Sequence, residues 1–143
     1  VEIKYVKLDE RATVPRTAYE YDAGWDLFAL ETTIIHVNGI VDVRTGIAVA
    51  IPEGYYGRIV ARSSTWRKRG LGVVEGIIDS GFRGELFTGA YLMSRTPMID
   101  VPIRAGESIA QLIVQPVPVI EWTEVKDLPP SHRGESGFGS SGA

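Results

Sequence analysis

The sequence predicts an all-β domain built as a sandwich, barrel or jelly roll. Three observations carry this. Short apolar runs alternate with a period of two, as half-buried strands do. The 16 Gly and 8 Pro are spread along the chain between those runs, which is the punctuation of turns joining strands. No segment holds an i, i+3, i+4, i+7 apolar stripe through three turns, so no long amphipathic helix is expected. At 143 residues the chain is one domain, large enough to bury a core of its own.

In chain order, Val1 to Leu8 alternates and reads as the first strand. Val41, Val43, Ile47 and Val49 recur at odd positions and turn one face of a strand inward. Arg58–Ala61, Gly72–Ile78, Glu85–Leu92, Ile109–Val114 and Val117–Trp122 follow as further strands. One short helix fits between them: Ser63-Ser64 as N-cap, Thr65 to Arg69 as body and Gly70 as the stop. After Trp122 the pattern fades, and Pro129-Pro130 breaks any regular element. Residues 1–128 are therefore read as the β domain and 129–143 as a C-terminal arm. Gly134, Gly137, Gly139 and Gly142, with Ser131, Ser136, Ser140 and Ser141, give the arm the composition of a flexible linker. Arg133 and Phe138 lie within it and favour a second reading, a lid that orders on a ligand. Glycine backbone beside Arg and Ser donors can wrap a phosphate, because missing Cβ atoms let N–H groups approach closely.

Composition narrows the function. Net charge is -3, a poor balance for general nucleic-acid binding. The chain has no cysteine, hence no disulfide framework, no Cys-based zinc site and no thiol nucleophile. No apolar run reaches the length of a membrane-spanning helix, and no basic-then-apolar leader opens the sequence. A cytoplasmic protein is expected, with nuclear or viral origin left open. His36 and His132 form no metal pair; His36 is expected to pack in, or edge, an apolar strand. Trp25, Trp66 and Trp122 are expected in the core or an interface. There is no P-loop and no zinc-deaminase signature.

Two internal segments offer chemistry, each with a plainer alternative. Asp79-Ser80-Gly81 between apolar runs is a good β-turn. It also sets a carboxylate at the mouth of a hairpin, where it can orient a water, with Phe82 beneath a ligand. In Gly57 to Ser64 a strand runs into Arg62 and two hydroxyls. This is either an ordinary N-cap with a solvated Arg or an anion-binding turn. Arg58, Arg62, Arg67, Lys68 and Arg69 cluster there, as a solvated face or as a site for a small polyanion. Carboxylates form no metal cage, so any Mg²⁺ is expected to ride on substrate phosphates.

Together these segments resemble the five short motifs of the trimeric deoxyuridine triphosphatases (dUTPases). Ala23-Gly24-Trp25-Asp26-Leu27 is similar to A-G-Y-D-L, and Gly57 to Ser64 to G-R-x-A-P-R-S-G. Gly76 to Leu86 is similar to G-V-I-D-x-x-Y-R-G-E-V. Gly106 to Ile113 is similar to G-D-R-I-A-Q-L-I, and Arg133 to Gly142 to R-G-x-G-G-F-G-S-T-G. Five motifs in order span nearly the whole chain.

The resemblance implies a jelly-roll-like β barrel, a homotrimer with shared active sites, and Mg²⁺-assisted hydrolysis of dUTP to dUMP and pyrophosphate. It implies Asp79 as the group orienting the attacking water at the α-phosphorus, and Phe82 as the wall against deoxyribose. Asp26 matches a carboxylate that meets the metal through water. Arg62, Ser63, Ser64 and Gln111 match phosphate-contacting positions. Phe138 matches a residue stacking on uracil, and Arg133, Gly139, Ser140 and Ser141 match the arm on the outer phosphates. Main-chain groups of a hairpin over Leu71 to Ile78, at Val73, Gly76 and Ile78, match the uracil-reading segment.

Departures from the motifs are Ala61 for Pro, Ser64-Thr65-Trp66 for Gly and two small apolar residues, Ser108 for Arg, Ser136 for Gly and Ser141 for Thr. Two rival readings are a dCTP deaminase and a catalytically silent, regulatory dUTPase-like protein. The deaminase needs a catalytic Glu where this chain has Gly89, with Thr88 and Ala90 beside it. Asp79, Arg62 and Phe138 argue against silence, though not against a second, regulatory role.

Overall fold

The computed structural model describes residues 1–93, 99–139 and 142. Among them are ten strands and one helix: β1 (Lys4–Lys7), β2 (Gly24–Phe28), β3 (Thr33–Ile35), β4 (Ile40–Ala50), β5 (Tyr55–Ala61), α1 (Ser63–Arg69), β6 (Leu71–Val74), β7 (Gly76–Ile78), β8 (Glu85–Leu92), β9 (Val101–Ile103) and β10 (Ser108–Pro116). The strands form a sheet of order β1-β4-β8-β6, a second of order β2-β10-β5-β7, and a pair β3-β9. All pairings between these strands are antiparallel. The all-β, jelly-roll-like class expected from the sequence is the class observed.

The inward residues make two clusters. Leu27, Ile47, Val49, Ile51, Ile59, Leu86 and Leu112 fill the space between the two larger sheets. Ile35, Val43, Leu71, Ala90, Ile103 and Ile109 form the second. Full burial of each such Val, Leu or Ile side chain stabilises by about 1.5–3 kcal/mol. Val43, Ile47 and Val49 are buried as the odd-numbered pattern requires. The strand is nevertheless irregular, because its register with β8 shifts between Arg44 and Ala48. Gly46 sits in that irregularity at φ +68, a left-handed backbone that glycine adopts without penalty. Glu85 secures it, accepting the Gly46 N–H at 2.8 Å and the Arg44 guanidinium at 3.2 Å.

Two expectations need correction, and a third is narrowed. Gly72–Ile78 is not a single strand, and Leu71–Ile78 does not pair as a hairpin: β6 pairs with β8 and β7 with β5, so the chain crosses between sheets at Glu75. Val117–Trp122 is not a strand; it is exposed chain, with Val119 and Trp122 almost fully accessible. Pro116 and Pro118 flank its start and supply no N–H to a ladder. Of the two places expected for the tryptophans, the core is ruled out and the interface is left: Trp25, Trp66 and Trp122 are all exposed in the single chain. β1 is exposed along its whole length, an edge strand that pairs only with β4. His36 is an exposed edge residue just beyond β3, with Nδ1 2.8 Å from Asp100.

Candidate active site

The sequence-predicted residues fall into two groups at opposite ends of β5. The first group is built on the bonded strands β2, β10 and β5, where Asp26 lies opposite Gln111 and Gln111 opposite Val60. Asp26 Oδ1 accepts from Arg62 Nε at 3.0 Å. Arg62 Nη1 also donates to the Ser108 carbonyl at 3.3 Å. Gln111 Nε2 donates to the Ala61 carbonyl at 3.1 Å, and its Oε1 lies against Gly24, where a Cβ would stand 1.8 Å away. Asp26, Arg62 and Gln111 therefore meet, with Ser63 and Ser64 following directly in α1.

Ser63 and Ser64 are not the N-cap. That position is Arg62, in extended backbone and without a side-chain capping bond. The two serines open the helix instead, and among the described residues no hydrogen bond engages either hydroxyl. They are free to meet a ligand. α1 stops at Gly70, φ 62, whose N–H reaches the Thr65 and Trp66 carbonyls. Arg67, Lys68 and Arg69 fill the last turn, favourable at the negative end of the helix. Arg69 ties that end to the turn before β10, donating to Glu107 at 2.7 Å and to the Pro102 carbonyl at 2.9 Å. Burial opposes ionisation of Glu107, but the Arg104 N–H and the Arg69 guanidinium outweigh it and hold its pKa below the ordinary value.

The second group surrounds the turn after β7. Phe82 N–H bonds the Asp79 carbonyl at 3.0 Å, so Asp79–Phe82 is the β-turn read from the sequence. Asp79 is exposed and makes no ion pair among the described residues. It lines an open cleft of about 440 Å³ together with Tyr55, Tyr56, Ile77, Ser80, Pro116, Val117 and Pro118. Phe82 lays its ring over Gly84, where a Cβ would stand 2.6 Å from Cζ. Arg83 Nη1 caps the turn, donating to the Ser80 carbonyl at 2.6 Å and the Phe82 carbonyl at 2.8 Å. Sequence reasoning missed Arg83, whose role depends on the turn's closed geometry. Tyr55-Tyr56 between Gly54 and Gly57 was a visible signal that went unused.

Val73, Gly76 and Ile78 lie on β6 and β7, the outer strands of their sheets. Each outer strand leaves one side of its backbone N–H and C=O groups without a ladder partner. Glu75, at the crossing, accepts from Arg58 Nε at 2.7 Å. That hydrogen bond holds the Glu75 pKa below its usual value.

The two groups do not meet in one chain. Ile78 lies opposite Gly57, which puts Asp79 beside the Tyr56 end of β5, while Arg62 follows its other end. Six residue-to-residue steps along β5 and just past its end separate Tyr56 from Arg62, about 20 Å at ~3.3 Å per step. The arm is apart from both. Phe138 is fully exposed at φ 51, and Arg133 Nε bonds the Ser136 carbonyl at 2.7 Å. Ser140 and Ser141 lie outside the described residues.

A dUTPase family model matches residues 10–142. The chain belongs to the dUTPase family. It is 40% identical over 136 residues to the deoxyuridine 5'-triphosphate nucleotidohydrolase of Paramecium bursaria Chlorella virus 1, covering 95% of this chain and 94% of that one. It is 39% identical to the nucleotidohydrolase of Thermobifida fusca, covering 99% and 79%. Among solved structures, the dUTPase of Staphylococcus bacteriophage 80alpha with dUPNHPP superposes at TM-score 0.93 with 29% identity, covering 99% of each chain. A mutant dUTPase of phage phi11 of S. aureus, described with a structural Mg(II) ion, superposes at 0.81 with 25% identity, covering 89% and 98%. As a dUTPase, this chain is a nucleotide hydrolase. The deaminase reading falls with that assignment.

Proposed function

We propose that this dUTPase cleaves dUTP to dUMP and pyrophosphate at sites completed by neighbouring copies of the chain. One observation carries the reading. Two chemically different half-sites stand about 20 Å apart on β5, farther than a triphosphate reaches, and each lacks what the other has. Asp79 with Phe82 offers a base and a sugar wall, and the cation there, Arg83, is turned onto the Ser80 and Phe82 carbonyls. Arg62 with Ser63, Ser64 and Gln111 offers phosphate donors without a free carboxylate. A homotrimer that sets one copy's Asp79 turn against the next copy's Arg62 turn satisfies both, as closed rings of identical contacts do.

In that arrangement uracil lies along the free edges of β6 and β7, near Val73, Gly76 and Ile78. A backbone donor and acceptor there match uracil N3–H and O4 and mismatch cytosine. Phe82 packs on deoxyribose and leaves no room for a 2′-hydroxyl. Asp79 takes a proton from a water in line with the α-phosphorus. The water oxygen bonds to the α-phosphorus as the bond from that phosphorus to the α,β-bridging oxygen breaks, and pyrophosphate leaves held by Arg62, Ser63, Ser64 and Gln111. Arg133, Phe138, Gly139, Ser140 and Ser141 close over the nucleotide and exclude other water.

Among the described residues no cluster of three His, Cys, Asp or Glu side chains could cage a metal ion. Asp26, already paired with Arg62, keeps Oδ2 for a water. The residues fit Mg²⁺ carried on the phosphates with most of its waters retained. Bound there, it would neutralise phosphate charge.

The test is pyrophosphate release from dUTP, dCTP, dTTP and UTP, with and without Mg²⁺. Activity confined to dUTP supports the reading. Equal activity on dCTP or UTP contradicts it.

A further inference from the structure

We infer that Thr65 is a positioning residue for the phosphate half-site, acting through an extra residue in β10. This rests on the reading of Arg62, Ser63 and Ser64 as phosphate donors.

The helix that carries those serines has no side-chain cap, so its first turn needs another anchor. β10 supplies one. Its register with β2 shifts between Ser108 and Ala110: Ser108 lies opposite Phe28 and Ala110 opposite Leu27, leaving Ile109 as the additional residue of a bulge. The carbonyls of this bulge face the turn. The Ile109 carbonyl accepts the Arg62 N–H at 3.2 Å and the Thr65 hydroxyl at 2.5 Å. The Ser108 carbonyl accepts Arg62 Nη1 at 3.3 Å. Ser108 Oγ bonds the Ala110 carbonyl at 3.0 Å.

Thr65 is 1% exposed, so its hydroxyl cannot trade Ile109 for water. Its N–H bonds the Arg62 carbonyl at 3.0 Å, which closes the loop from Arg62 through Thr65 to Ile109 and back to Arg62. Ser63 and Ser64 are the two residues between Arg62 and Thr65 in that loop. Their direction is set by Thr65, because Ser63 and Ser64 make no bond of their own. With Arg69 fastened to Glu107, α1 is pinned at both ends, and the Thr65 bond is the one at the end that carries Ser63 and Ser64.

Thr65→Val keeps the shape and removes the donor. The expected result is weaker binding of a non-hydrolysable dUTP analogue by about 5- to 10-fold, the worth of one hydrogen bond, with dUMP affinity unchanged. Thr65→Ser should restore the analogue's affinity. Equal loss for analogue and dUMP, or a fall in melting temperature with analogue affinity intact, overturns the proposal. Where Thr65→Val does not fold, Thr65→Ala is read by the same ratio of analogue to dUMP affinity. A Ser63→Ala, Ser64→Ala double variant separates the two claims: undiminished analogue binding there refutes the phosphate reading itself.

Discussion

Adding one methyl group at Gly24 separates site geometry from stability. A Cβ there would stand 1.8 Å from Gln111 Oε1 and 2.6 Å from its Cδ. Both atoms are the tip of a flexible side chain, so Gln111 swings aside and gives up its bond to the Ala61 carbonyl. That bond is worth about 1 kcal/mol. Alanine for glycine returns about 0.4–1 kcal/mol by restricting the unfolded chain. The melting temperature of Gly24→Ala should therefore stay within a few degrees of wild type. Catalysis should not. Gln111 would lose a hydrogen bond to a charged phosphate, about 1.5–3 kcal/mol, so kcat/KM for dUTP should fall about tenfold or more. Gly46→Ala is the control. Its left-handed backbone costs about 1–2 kcal/mol with a Cβ, and Ala12 would stand 2.9 Å from it. It should melt earlier and keep its kcat/KM. If Gly24→Ala turns over dUTP normally, Gln111 does not serve the phosphates. If it melts far lower, the side chain cannot move as argued.

Three further outcomes are expected. Truncation after Pro130 should cut kcat/KM while leaving the melting transition cooperative, because the last strand ends at Pro116; loss of cooperative melting would contradict this. Gly84→Ala should drive the Phe82 ring from its seat, 2.6 Å from the new Cβ, and erode discrimination between dUTP and UTP by about tenfold or more, read from the two kcat/KM values. The Asp9 pKa is lowered to about 2 by hydrogen bonds from Arg11. A depressed carboxylate stabilises the fold above its unfolded pKa, and that contribution disappears as pH falls from about 4 to about 2. Asp9→Asn should flatten the acid limb of a melting-temperature profile in that window, by a small amount because the pair is solvent-exposed.

Much of the fold was legible because β alternation is a local signal. β4, β8 and β10 follow from their own side chains. The break at Glu75 was not legible: Gly72–Ile78 reads as one apolar run, and only the pairing partners β8 and β5 divide it. Val117–Trp122 misled for the opposite reason, since its strand-like side chains have no core face to fill in a single chain. At the site, residue types marked Asp79 and Arg62, while Gln111 was marked only by the resemblance to the family's fourth motif. The supports did not show, because Arg83, Thr65 and Glu75 act through carbonyls and ion pairs that exist only once the strands are paired. The distance between the half-sites was equally invisible, being fixed by the β5–β7 register.

The central claim is that Asp79 of one copy serves Arg62 of another. Asp79→Asn and Arg62→Ala, each inactive alone, can be unfolded, mixed in equal amounts and refolded together, and dUTP turnover measured. Random assembly into trimers pairs an intact Asp79 with a neighbour's intact Arg62 at about one site in four, so about a quarter of wild-type activity should return. A mixture as inactive as its components would contradict the account.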